Sequence, residues 1–419
     1  MTNRYKLAKK IITPNGLLLI RFDIIILTMH KDKAYLNNLT ALRGIAALLV
    51  VVFHSNEIVS NYITTEHTFW FRKLYLMVDL FFILSGFIMC YVYETYFNDS
   101  TQSKKTIEFL KARLARIYPL HLVTLAVLVL AVGITYAIGK DSNYDAFALA
   151  LYNPKAIITN IFLLQSAHIH NMFSWNVPSW SISAEWLAYL VFPFLVKPFS
   201  KFSISQTLMT IAILFALYAG LVFYIAPNRV PMFSFLSTAA DLDLTYDWGF
   251  ARGILGFVLG MCAYRLFMNN VLKNALSNGW VLLAIVVLYS VYMHFNLTDF
   301  GAPLFFSIIL LSTAYGSKNM NVFFATAPLQ KLGIWSYSIY MWHGAFIFIV
   351  FEIQGWLLTK PTVPDPPNYF GITNPLVLLM LYVIITIVIG ALSYRFVEKP
   401  SRLWIKNLGK KSSEVRTDK

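Results

Sequence analysis

The chain has 419 residues, 58% of them hydrophobic and only 13% charged, with a mean hydropathy of +0.61 and a formal net charge of +14. Soluble domains carry about 25% charged residues, so an ordinary soluble fold is excluded. The apolar runs are too long, and alternate too little, for barrel strands, which predicts an all-α, polytopic membrane helix bundle.

The first 28 residues hold an apolar stretch, Leu17 to Leu27, interrupted by Arg21 and Asp23. It lacks a small-residue cleavage site. It reads either as an amphipathic surface helix or as an upstream extension of a chain starting at Met29. Ten spans follow, near 40–58, 73–94, 117–138, 183–200, 205–226, 249–268, 278–296, 302–317, 331–353 and 376–396. The stretch 156–167 is too short to cross and is expected at the outer interface or re-entering the bundle. The proline-rich segment Lys360–Tyr369 is expected to be an outer loop. The domain reading is a cytoplasmic extension over 1–38, a transmembrane domain over 39–400 and a basic cytoplasmic tail over 401–419.

With both termini in the cytoplasm, 27 of the 34 lysines and arginines fall on that side. The other seven are Arg72, Lys73, Lys140, Lys155, Arg229, Arg252 and Lys360. This bias sets the expected orientation. It also explains the basic excess without nucleic acid as a partner. Cys90 and Cys262 both lie in apolar runs, so no disulfide framework is expected. No cysteine, histidine or carboxylate group shows metal-ligand spacing, and no metal is expected.

Several ionisable groups lie within or beside the spans, where they are functional candidates. Arg43 and His54 share the first span, eleven residues or roughly 16 Å apart. His54 can take and return a proton near neutral pH. Asp79, about six residues into the second span, reaches a similar depth and could orient His54. It also suits a capped or water-exposed helix start. Arg113 and Arg116 share one helix face at a spacing of three, which fits bidentate phosphate binding as well as a positive-inside anchor. Ser85-Gly86 reads as a close-packing site rather than a nucleophile.

The fourth span opens with Trp175, Trp180, Trp186 and Glu185. The tryptophans suit interface anchors or a sugar face. Glu185 could orient Arg252, hold the histidine or line a sugar site. His343, about twelve residues into the ninth span, either faces the cavity of His54 or is held within the bundle. His121 reads as structural.

Taken in order, these motifs resemble the acyltransferase-3 family of integral-membrane O-acyltransferases. The matching residues are Leu42-Arg43-Gly44 with His54, Asp79-Leu-Phe-Phe-Ile-Leu-Ser-Gly-Phe87, Arg113-Leu-Ala-Arg116-Ile-Tyr-Pro119, Pro178-Ser-Trp-Ser-Ile-Ser-Ala-Glu185, Ser336-Tyr-Ser-Ile-Tyr-Met-Trp-His343 and Tyr394-Arg-Phe-Val-Glu398-Lys-Pro400. Trp186 stands where relatives often carry a second glutamate, so no carboxylate pair is expected there. The resemblance implies a ten-helix bundle in the bacterial inner membrane. It implies transfer of an acyl group, with acetyl as first choice, from cytoplasmic acyl-coenzyme A to a hydroxyl of an extracytoplasmic glycan. Lipopolysaccharide O-antigen, exopolysaccharide or a lipid-linked precursor are the acceptors it suggests. Arg113 and Arg116, with Arg43 as a guide, then hold the donor phosphates. His54, supported by Asp79, removes the acceptor proton, or else carries the acyl group itself. Glu185, Trp180, His343 and Arg252 serve as substrate or support residues. A secondary transporter is the alternative function and an inactive scaffold a third. No internal repeat supports a transporter.

Overall fold

Backbone inside lipid must satisfy its own hydrogen bonds, and apolar runs therefore become helices. The computed structural model describes residues 33–56, 63–64, 66–97, 102–141, 144, 146–228, 241–357 and 369–407, and each of the ten expected spans coincides with a helix in it. In chain order the helices are α1 (Lys33–His54), α2 (Met77–Phe97), α3 (Gln102–Ala137), α4 (Ala146–Leu151), α5 (Lys155–Ile161), α6 (Trp180–Phe199) and α7 (Ile204–Gly220). They continue as α8 (Gly249–Met268), α9 (Gly279–His294), α10 (Ala302–Tyr315), α11 (Lys318–Phe324), α12 (Ala327–Leu357), α13 (Pro375–Ser393) and α14 (Lys399–Asn407). The described residues contain no strand, only an isolated bridge between Tyr369 and Ile372. The apolar stretch at 17–27, most of the proline-rich loop and the tail beyond Asn407 lie outside the described residues.

Among the described residues, eight helices are long and apolar enough to cross a membrane. A ninth candidate is the pair formed by α10, with its leading turn, and α11, bent by 101°. The one expected span left over, 278–296, is α9, which is apolar but has only 16 residues, about 24 Å of helix. Three helices overrun the lipid. α3 has 36 residues and begins fifteen before its expected span, and α12 has 31. The third, α13, continues without a break into α14, so helix crosses the expected domain boundary at residue 400.

The bundle has two packed groups. In one, α1 runs along α12, which also carries α3 and α13; in the other, α8 packs between α2, α6 and α7. Each group is drawn together where two glycines cross. A Cβ on Gly44 would lie 2.5 Å from the backbone nitrogen of Gly333, and one on Gly333 would lie 2.0 Å from the Thr40 carbonyl. A Cβ on Gly86 would meet the Phe257 carbonyl at 1.8 Å, and one on Gly260 the Ile83 carbonyl at 1.9 Å. No larger residue fits these crossings, so helix pairs approach backbone to backbone, as membrane interfaces allow where dispersion replaces the hydrophobic effect.

The stretch 156–167 enters the bundle. Asn160 and Ser166 are fully buried, and Ser166 Oγ lies 2.9 Å from Ser183 Oγ at the start of α6. His121 of α3 meets the Asn160 carbonyl through Nε2 at 2.8 Å, which is a structural role.

Candidate active site

Between the two groups lies a cavity of about 130 Å3, walled by α1, α2, α3, α6 and α12. It gathers Arg43 of α1 with Arg113 and Arg116 of α3, 70 or more residues further along the chain. Facing them are Glu185, Ser85, Ser181, Tyr189, Tyr337 and Tyr340, and the remaining wall is apolar, with Phe81, Phe82, Ile88 and Met89 among its members. Helical spacing explains each contribution. Glu185 and Tyr189 are four apart on α6, and Arg113 and Arg116 three apart on α3, so each pair shares a face.

The arginines are positioned but not satisfied. Arg43 Nη2 donates to the Gly333 carbonyl at 2.8 Å, just where α1 and α12 cross. Arg113 Nη2 donates to Tyr93 Oη at 2.8 Å, and its guanidinium lies 5.2 Å from the Tyr93 ring. The Nε groups of Arg43 and Arg113 are buried with no hydrogen-bond partner. Buried donors left unmet are costly, and a guanidinium with unmet donors is suited to taking an anionic oxygen. Glu185 does not reach Arg252. Its Oε1 accepts from Ser85 Oγ at 2.7 Å and Tyr189 Oη at 2.5 Å.

Asp79 requires a correction. Arg252 engages both of its oxygens, Nε to Oδ1 at 2.9 Å and Nη2 to Oδ2 at 2.6 Å, with both side chains fully buried. Trp180 and Tyr75 cover that guanidinium at 5.3 and 5.5 Å from ring centroid to Cζ, and Nη1 donates to the Leu244 carbonyl at 3.3 Å. A carboxylate inside a bundle takes the strongest planar cation in reach, and the bidentate guanidinium outcompetes an imidazole. Asp79 therefore pins α2 to α8 rather than orienting His54. Trp180, 7% exposed, caps this ion pair and offers no free face to a sugar.

His54 instead lies against His343, ring centroids 4.6 Å apart at an interplanar angle of 61°. Its Nδ1 sits 3.0 Å from the Val50 carbonyl one turn back on α1. His343 is arranged alike: Nδ1 faces the Tyr340 carbonyl, and Nε2 is buried with no partner. Neither histidine lines the cavity. Tyr340 stands between, lining the cavity with its ring 5.2 Å from that of His343 and its hydroxyl 2.7 Å from Ser181 Oγ. The polar order is thus arginines, Glu185, Tyr340 with Ser181, His343 and His54.

Sequence reasoning missed Tyr340, Ser181 and Tyr189, although each lies inside or next to a quoted motif: Tyr340 three residues before His343, Ser181 four before Glu185, Tyr189 four after it. It also missed the buried pair of Lys73 and Asp299 at 2.5 Å. Asp299 accepts from Tyr75 and, at 2.9 Å, from the Leu242 amide, tying the non-helical segment that leads into α8 to the bundle. Among the described residues no group of three or more histidine, cysteine or carboxylate side chains could hold a metal ion.

The sequence profile of an acyltransferase domain, Acyl_transf_3, matches residues 36–395. The chain belongs to the acyltransferase-3 family. This acyltransferase-family chain is 25% identical over 399 residues to the peptidoglycan O-acetyltransferase OatA of Listeria monocytogenes, covering 90% of its own length and 57% of that protein. It is 23% identical over 394 residues to the O-acetyltransferase OatA of Staphylococcus aureus, covering 88% and 57%. The chain therefore spans less than two thirds of the length of these relatives. No solved structure matches it significantly.

Proposed function

We propose that this chain is a membrane O-acetyltransferase that takes acetyl from cytoplasmic acetyl-coenzyme A and delivers it to a glycan hydroxyl on the far side of the membrane. The observation that carries the reading is the convergence of Arg43, Arg113 and Arg116 on one cavity whose polar continuation leads through Tyr340 to two histidines. Guanidinium groups suit phosphates, and the apolar walls beyond them suit a pantetheine arm.

His54 supplies the base. Its Nε2 removes the proton of the acceptor hydroxyl as oxygen attacks the thioester carbonyl. The carbon–sulfur bond breaks, and the departing thiolate takes the proton back from the imidazolium. His343, in ring contact, supports that imidazole in the place expected of Asp79. For the thioester to reach His54, the side chain of Tyr340 must give way.

Family membership favours group transfer over the transporter alternative. The name of the Listeria relative offers peptidoglycan as the acceptor, beside lipopolysaccharide O-antigen or exopolysaccharide. Mass spectrometry of each glycan fraction from cells with and without the chain identifies the acceptor by the acetyl mass it loses. The donor reading is tested by changing Arg113 and Arg116 together to Ala. KM for acetyl-coenzyme A should rise by tenfold or more with kcat less affected. An unchanged donor KM overturns it.

A further inference from the structure

The motif Tyr394–Pro400 takes no part in the chemistry above. The helix does not stop at Ser393: one π-helical turn, Tyr394–Glu398, joins α13 to α14. The continuous helix from Pro375 to Ile405 has 31 residues, about 46 Å at helical rise against a hydrocarbon core of about 30 Å. Its last turns therefore project past the lipid, and there α14 packs against α3, the helix that carries Arg113 and Arg116.

Glu398 turns inward. It is 2% exposed and accepts from Ser338 Oγ of α12 at 2.8 Å, next to Tyr337 of the cavity wall. One turn further on, Arg402 Nη1 lies 3.6 Å from Glu398 Oε1, longer than a hydrogen bond, and the arginine side chain stays 41% exposed. Arg402 is in electrostatic reach of Arg113 and Arg116, and Arg43 of both Arg116 and Glu398. Four guanidinium groups thus share this end of the bundle with two carboxylates, Glu185 and Glu398. Together with the unmet Nε donors of Arg43 and Arg113, that excess is matched by a polyanion larger than the cavity alone would hold.

We propose that Arg402 binds the 3′-phosphate of coenzyme A at the mouth of the cavity, while Arg113 and Arg116 inside it hold the diphosphate. The order follows from position. Arg113 and Arg116 line the cavity; Arg402 is not among its lining residues and keeps 41% of its side chain exposed, where the nucleotide end of a donor with its thioester buried must emerge. The loose contact with Glu398 is the one given up when the phosphate arrives. This inference rests on the acetyl-coenzyme A reading.

The test is equilibrium binding of coenzyme A and of 3′-dephospho-coenzyme A to the purified full chain in detergent. Wild type should bind coenzyme A more tightly than the dephospho compound. R402A should weaken coenzyme A binding about tenfold, to the dephospho level, and leave the dephospho compound unchanged, which also reports an intact fold. R402K should fall between. A loss shared by both ligands, or by neither, overturns the placement of Arg402 while leaving the donor reading standing. Failure of wild type to bind coenzyme A overturns both.

Discussion

A carbonyl oxygen only accepts, so the Nδ1 of His54 beside the Val50 carbonyl carries the ring proton and leaves the Nε2 lone pair free. His343 has the same tautomer for the same reason. Two imidazoles in contact, each with a free Nε2, form a couple in which His343 can accept a hydrogen bond from His54 once His54 is protonated. His54→Ala should therefore lower transfer by at least about a hundredfold, and His343→Ala by a smaller factor, with coenzyme A binding unchanged in both. Transfer at the wild-type rate in His54→Ala contradicts its role. Weakened coenzyme A binding in either variant would show that these rings act through the fold. Residue types and spacing made His54, Arg43 and the Arg113–Arg116 pair legible as candidates, and the fold brings the three arginines to one cavity. The partner of each was not, because a pairing across helices depends on rotation about axes that spacing within one helix does not fix. Asp79 shows this: its depth matched His54, and its face met Arg252.

The elements were legible as lipid-crossing units, since hydropathy reports where a helix meets hydrocarbon. It is silent where a helix runs on into the aqueous layer, hence the unexpected early start of α3 and the continuation of α13 into α14. It is also silent on crossings, which rest on Gly44, Gly86, Gly260 and Gly333. The α2–α8 pair is fixed by such a crossing and by the ion pair of Asp79 with Arg252. Asp79→Ala would leave a guanidinium buried without its counter-charge, a loss of about 3–5 kcal/mol. A lower melting temperature in detergent is the expected outcome, with part of it recovered in Asp79→Ala/Arg252→Leu, where neither charge remains. A single variant that melts like wild type would mean that the pair contributes nothing to joining the two helices.

For the molecule as a whole, the proposed phosphate site lies at the end of the bundle bearing Arg43, Arg113, Arg116 and Arg402, and the proposed base, His54, roughly 16 Å away. In the proposed function the first end faces the cytoplasm, the side the charge bias between loops favours. Labelled acetyl-coenzyme A, which does not cross a bilayer, tests this directly when given to sealed vesicles of either orientation. Label should reach glycan only when the donor is on the cytoplasmic face, and His54→Ala vesicles should transfer at least about a hundredfold less. Equal labelling with the donor confined to the opposite face would contradict it.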